Sequence, residues 1–181
     1  MRIVSGIYKG RHIQVHKKFS ARPTTDFAKE NIFNVINNYF DWEKLSVLDL
    51  FSGTGSISYE FASRGCLRVV SVEKDFRSHS FIQETVKNLQ DDKIKAIKSD
   101  VFRFLEWTKE KYDIIFADPP YELKGIEELP KVVFEKKLLK PEGWFILEHG
   151  KNSEFQGFQG FKEKREYGSV NFSIFENQAV E

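Results

Sequence analysis

The chain has 181 residues, of which 40% are hydrophobic and 30% charged, the proportions of one water-soluble domain with room for a sizeable core. Its single cysteine, Cys66, excludes an internal disulfide, argues against a cysteine-built metal centre and suits a reducing compartment. The opening MRIVSGIYKG has no apolar signal core, and no run approaches the roughly 20 apolar residues of a membrane span, so a cytoplasmic protein is expected.

A net charge of +1 conceals an asymmetry. Residues 1–22 carry Arg2, Lys9, Arg11, Lys17, Lys18 and Arg22 and no acid; taking those six from +1 leaves −5 over residues 23–181. A basic arm on a mildly acidic body suits contact with phosphates, although a solvated basic hairpin would read the same way.

In chain order, RIVSGI (2–7) and RHIQV (11–15), with Lys9-Gly10 between them, predict a short hairpin. Thr24 or Thr25 is placed to cap a helix whose first turn holds Asp26, and Ala28, Ile32, Val35, Ile36 and Tyr39 make its apolar face. From residue 46 short apolar runs alternate with helical stretches. The runs are 46–51, 68–73, 94–98, 112–118 and 144–148; the helices fit at about 56–64, 75–90, 101–109 and 126–138. This alternation predicts right-handed βαβ units on a mostly parallel sheet. Pro141-Glu142-Gly143 reads as a turn into the fifth run, 151–161 as a loop, and 163–167 with 170–176 as a closing hairpin around Gly168-Ser169. The expected division is an arm over 1–24 and one α/β domain over 25–181.

The chemistry-bearing residues lie at the ends of these runs. Asp49-Leu50-Phe51-Ser52-Gly53-Thr54-Gly55-Ser56 ends the first run and opens a helix, where an open α/β sheet binds its ligands. Gly53 and Gly55 would let backbone approach such a ligand. Glu73 ends the second run, 18 residues after Gly55, where an acid can accept from both hydroxyls of a ribose. An adenosine-containing cofactor is therefore expected. A dinucleotide fingerprint would need a third glycine, but Ser56-Ile57-Ser58 follows Gly55, and no Gly-Lys-Ser/Thr phosphate loop occurs. S-adenosylmethionine fits better: it has no pyrophosphate, Asp49 suits its ammonium, Asp100 can accept from its adenine amino group, and Val101 can pack on the ring.

Asp118-Pro119-Pro120-Tyr121, at the end of the fourth run, is the most specific feature. A purine amino group is a poor nucleophile because its lone pair is delocalised into the ring. Two acceptors, the Asp118 carboxylate and the Pro119 carbonyl, can grip its N–H bonds and free that lone pair. Consecutive prolines stiffen the loop, and Tyr121 offers a face for a flipped base.

Taken together these motifs resemble the bacterial 16S ribosomal RNA guanine-N2 methyltransferase family. The resemblance is carried by Arg2 to Gly6, Lys9 to Arg11, Arg22 to Asp26, Glu30, Phe33, Asn34, Asp49, Phe51, Gly53, Gly55, Glu60, Ser63 to Gly65 and Asp118 to Tyr121. It implies a class I S-adenosylmethionine-dependent methyltransferase fold, Rossmann-like, with an N-terminal β-hairpin extension. It implies a monomer acting on 16S rRNA in the small subunit or an assembly intermediate. It also implies RNA contacts from Arg2, Lys9, Arg11 and Arg22, and a place near the cofactor for Phe51 and Thr25. Ser58, Tyr59, Phe61 and Ala62 depart from the family's Gly-Ile/Leu-x-Ala-Leu pattern, which reads as repacking away from the chemistry. The Asp-Pro-Pro-Tyr loop by itself would admit adenine-N6 methylation of DNA or RNA. A nucleic-acid-binding module without catalysis is the third reading, opposed by the intact loops. His12 and His16 read as solvated, Cys66 and the three tryptophans (Trp42, Trp107, Trp144) as packing, and His149 has no evident partner.

Overall fold

Every apolar run becomes a strand, and the parallel ones finish in or just before an acid, so the polar residues gather at one end of the sheet. The computed structural model describes residues 1–15 and 25–178. Its elements are α1 (Asp26–Asn37), β1 (Ser46–Leu50), α2 (Ser56–Ser63), β2 (Arg68–Glu73), α3 (Phe76–Leu89), β3 (Ile94–Lys98), α4 (Val101–Trp107), β4 (Tyr112–Ala117), α5 (Glu128–Glu135), β5 (Leu139–His149), β6 (Phe161–Tyr167) and β7 (Val170–Glu176), with one 3-10 turn at Trp42–Lys44. The strands form one sheet in the order β3-β2-β1-β4-β5-β7-β6. The β3 to β5 pairings are parallel; β5–β7 and β7–β6 are antiparallel. The α/β fold with a closing antiparallel hairpin is thus the one expected.

Alternate strand residues feed two cores. Val47, Val69, Ile114, Trp144 and Phe172 meet α1, α2 and α3 through Ile32, Phe33, Phe61 and Ile82. Leu48, Val70, Ile115 and Phe145 meet α4 and α5 through Phe104, Leu105, Leu129 and Val133. Full burial of β1 on both faces is what a central parallel strand requires.

Three expectations change. First, β5 begins at Leu139, because Pro141-Glu142-Gly143 is absorbed into it as an irregularity. The register jumps from Tyr112↔Leu139 to Ile114↔Trp144, Glu142 has φ 61°, and a Cβ on Gly143 would stand 2.9 Å from the Lys140 carbonyl oxygen. Second, Trp107 packs on one side only: it ends α4 at 58% exposure, its ring edge-on to Phe104 at 4.8 Å. Trp144 is buried against Tyr39 and Phe40, and Trp42 stacks on Phe33. Cys66 is fully buried.

Third, the N-terminal hairpin is one antiparallel bridge, Arg2↔His12, rather than two strands. Ile3, Gly10 and Ile13 N–H donate across it to the Arg11, Ile3 and Met1 carbonyls, and other backbone N–H groups of the arm are engaged by α2. Val4 and Ser5 N–H donate to the two Glu60 carboxylate oxygens at 2.9 and 3.0 Å. Ile7 N–H donates to the Ser63 carbonyl at 2.7 Å, and Tyr8 N–H to Ser63 Oγ at 2.9 Å. Gly6 (φ 82°) passes so near α2 that a Cβ would lie 1.9 Å from the Ser63 carbonyl oxygen. Ile3 and Tyr8 join the first core.

Candidate active site

The site is built where β1 lies between β2 and β4. After Leu50 the chain turns back sharply, with Phe51 at φ 59°. Ser52 ties the turn down: its N–H donates to the Val72 carbonyl at 3.0 Å and its hydroxyl to the Asp49 carbonyl at 2.8 Å. The two glycines serve different ends. Gly53 faces open space, with nothing within 4 Å of where a Cβ would be, and its N–H donates to Glu73 Oε2 at 2.7 Å. Gly55, the left-handed cap of α2 (φ 87°), is backed by the Tyr59 ring, 2.6 Å from an added Cβ. Gly55→Ala should therefore cost about 1–3 kcal/mol of stability through overpacking and a strained φ, read by urea denaturation. The Gly53→Ala variant, strained at φ 53° but unobstructed, should lose less.

Asp49 is 1% exposed and accepts from the Ser58 hydroxyl at 2.5 Å. Burial pushes its carboxyl up to about 7 and the nearby Asp118 charge adds to this, while hydrogen bonds from Ser58 pull the other way. An ammonium brought to this carboxylate would supply the missing counter-charge. Glu73, besides holding Gly53, accepts from the Asp75 N–H at 2.7 Å, so one carboxylate joins the glycine turn to the end of β2. Asp100 caps α4 through the N–H groups of Phe102 and Arg103 and pairs with Lys74 at 3.1 Å. Partial burial raises its carboxyl, but Lys74 and those N–H groups outweigh it and leave the group below the usual carboxylate range. Lys74, Lys98, Ser99, Asp100 and Arg103 line an open hollow of about 480 Å³, and Val101 is buried beside it.

Asp118 stands one residue beyond the Leu50↔Ala117 pair, its N–H directed at the Leu50 carbonyl at 3.5 Å. Pro119 is buried and Pro120 exposed. Tyr121 is 57% exposed, its ring 3.9 Å from the Cβ position of Gly150 at the end of β5. The fold therefore brings Asp49, Phe51, Gly53, Gly55 and Glu73 to one end of the sheet beside Asp118, Pro119, Pro120 and Tyr121, with Asp100 and Val101 on the far side of Glu73. Thr25 caps α1, accepting from the Ala28 N–H at 3.2 Å. The first turn of α1 touches the start of α2, where Lys29 Nζ meets Ser56 Oγ at 3.3 Å.

Arg2, Lys9 and Arg11 are exposed on the arm. Arg2 pairs with Asp26 at 3.5 Å, and Arg11 lies over the Tyr8 ring. Arg22, like His16, lies outside the described residues.

Sequence reasoning missed three things. Ser58 touches Asp49, so the departures on α2 are not remote from the site. Glu148, 3% exposed, stands one residue past the Ala117↔Leu147 pair and hence beside Asp118; a fifth run ending in an acid, as the second and fourth do, was its signal. His149 has partners after all, Ser173 Oγ at 2.8 Å across the antiparallel pair and the Gly150 carbonyl at 2.8 Å, and burial lowers its imidazole pKa. Among the described residues no group of three or more His, Cys, Asp or Glu is placed to hold a metal ion, and no helix is long and apolar enough to cross a membrane.

The family model described as "Conserved hypothetical protein 95" matches residues 1–176. A Bacillus subtilis (strain 168) protein, YlbH, provisionally named an rRNA methyltransferase, is 32% identical over 98% of this chain and 100% of its own. The ribosomal RNA small subunit methyltransferase D of Haemophilus influenzae is 28% identical over 98% of this chain and 94% of its own. Among solved structures, the Thermus thermophilus protein TTHA0928 superposes with a TM-score of 0.86 at 26% identity, over 97% of this chain and 99% of that one. The chain accordingly belongs to the Conserved hypothetical protein 95 family, the family of the ribosomal RNA small subunit methyltransferases D.

Proposed function

We propose that this protein transfers a methyl group from S-adenosylmethionine to the exocyclic N2 amino group of a guanine in 16S rRNA. The observation that carries the reading is the placement of Asp118 and its proline-stiffened loop beside the glycine turn, on adjacent strands β4 and β1. The residues present fit the cofactor: Gly53 has open space where a close approach is wanted, and Asp49 is a buried acid with no cation against it among the described residues. Asp49 would take the amino group, Glu73 the ribose hydroxyls, and Asp100 with Val101 the adenine; Phe51 and Thr25 border the same space. When bound, S-adenosylmethionine supplies an electrophilic methyl carbon on a sulfonium sulfur.

The chain's own work is positioning. The Asp118 carboxylate and the Pro119 carbonyl accept the two N–H bonds of the base's amino group, which turns the nitrogen lone pair away from the ring system. The developing positive charge on nitrogen then lies next to Asp118, an electrostatic stabilisation that strengthens toward the transition state. Tyr121, exposed beside this loop, stacks the extruded base. Arg2, Lys9 and Arg11, with Arg22 from the arm over residues 1–24, supply phosphate contacts, and the domain over 25–181 carries the chemistry. The protein works as a monomer in the cytoplasm, on the small subunit or an assembly intermediate of it.

The test is methyl transfer from labelled S-adenosylmethionine to unmodified small subunits, naked 16S rRNA and duplex DNA, with the product nucleoside identified by mass spectrometry. N2-methylguanosine from the ribosomal substrates is expected. N6-methyladenosine, or label in DNA alone, would overturn the substrate while leaving the Asp118 chemistry in place.

A further inference from the structure

The departures on α2 place a hydroxyl against the acid that receives the cofactor. Ser58 is fully buried, and its hydroxyl stands 2.5 Å from Asp49 Oδ2. Asp49 is almost wholly enclosed, at 1% exposure. It belongs to a central strand, paired with Ser71 on β2 and Phe116 on β4, and is roofed by the first turn of α2. Of the groups around it, Asp118 at the end of β4 repels the charged carboxylate, and Tyr59 on α2 is a buried neutral phenol that senses the Asp49 charge. Glu148 on β5 lies beyond Asp118. Ser71 and Ser52 are uncharged. None of these is a cation, so hydrogen-bond donors oppose the cost of charging the buried acid, Ser58 first and Ser52 after it.

We infer that Ser58 is a positioning residue for cofactor binding: its hydroxyl, donated to Asp49, fixes the orientation of that carboxyl and favours its charged form, so that Asp49 can receive the amino group of S-adenosylmethionine. This rests on the role given to Asp49 above. Hydrogen bonds to charged groups are the strong ones, and losing such a bond in a buried site is felt in full. The direction with pH follows from the same balance. A carboxylate binds the ammonium and a carboxylic acid does not. Without Ser58 the carboxyl takes up its proton at higher pH, so binding weakens most on the acid side and converges with wild type in alkali.

The experiment is calorimetric titration of S-adenosylhomocysteine, which keeps the amino-acid end, into wild type, Ser58→Ala, Ser58→Thr and Asp49→Asn from pH 6 to pH 9, with thermal melts as a check on folding. Ser58→Ala should weaken binding roughly tenfold at pH 7 and shift the pH dependence of Kd upward, and Ser58→Thr should restore both. Asp49→Asn should bind weakly, with no dependence on pH in this range. Parallel Kd curves for wild type and Ser58→Ala overturn the inference, as does a loss the same at every pH, which would mean packing alone. Wild-type affinity in Asp49→Asn would overturn the assignment of Asp49 itself, a separate failure.

Discussion

Asp118→Ala should lower the turnover number by about 10²–10³-fold, the range seen when one preorganised partner of a developing charge is removed, while RNA binding is retained. A second effect of opposite sign accompanies it. The Asp118 charge is one of the causes that push the Asp49 carboxyl up to about 7. Removing it lets Asp49 ionise at lower pH, so S-adenosylhomocysteine should bind the variant as well as wild type at pH 8 and better at pH 6. Single-turnover methyl transfer and calorimetry at the two pH values separate these effects. Turnover within threefold of wild type would remove Asp118 from the chemistry, and weakened cofactor binding at both pH values would mean that the variant has collapsed the site.

The largest stability effect should come from Glu60→Ala. Glu60 is completely buried and holds together four groups, three of them distant in sequence. It accepts the Val4 and Ser5 N–H groups, lies 3.8 Å from the buried Lys29 Nζ, and bonds Arg64 at 3.2 Å. Truncation strands two backbone donors and removes the buried acid beside Lys29, whose ammonium keeps only the Arg2 carbonyl at 2.8 Å, Ser56 Oγ at 3.3 Å and the half-exposed Asp26 at 3.7 Å among the described residues. The expected cost is about 3–5 kcal/mol, or roughly a 10 °C fall in Tm for a domain of this size. Lys29→Met should be milder, since Glu60 keeps its other donors. Urea denaturation of both variants gives the comparison, and equal losses would mean that the ion pair, not the arm, is what Glu60 secures.

These interactions explain what could be read from residues and what could not. The parallel strands were legible because buried runs such as SVLDL and YDIIFA are continuous in sequence, with an acid as the next-to-last residue of the first and directly after the second, marking both an element and its functional end. Asp49, Glu73 and Asp118 each sit at such an end, and the fold of adjacent strands brings them together. The hairpin forms, but with less strand than its residues suggest, because the N–H groups of Val4, Ser5, Ile7 and Tyr8 are satisfied by a helix more than fifty positions away. Trp107 reads as packing by residue type, but it lies off the buried face of α4 made by Val101, Phe104, Leu105 and the following Thr108, and only its contact with Phe104 ties it down. Ser58 looked like altered packing because its partner, Asp49, lies across the glycine turn on another element. His149 found Ser173 only through the antiparallel pairing of β5 with β7.

Cys66 gives this fold an internal clock. It is the one thiol in the sequence, fully enclosed where α2 hands over to β2. Burial holds it protonated, pushed up to about 12 with help from Asp91, the same acid that receives the Tyr8 hydroxyl at 2.8 Å. An alkylating reagent meets neither thiolate nor surface until that seam parts. The rate of labelling in native buffer therefore reports how often the α2–β2 junction opens, next to the acid on which Tyr8 of the basic arm is anchored.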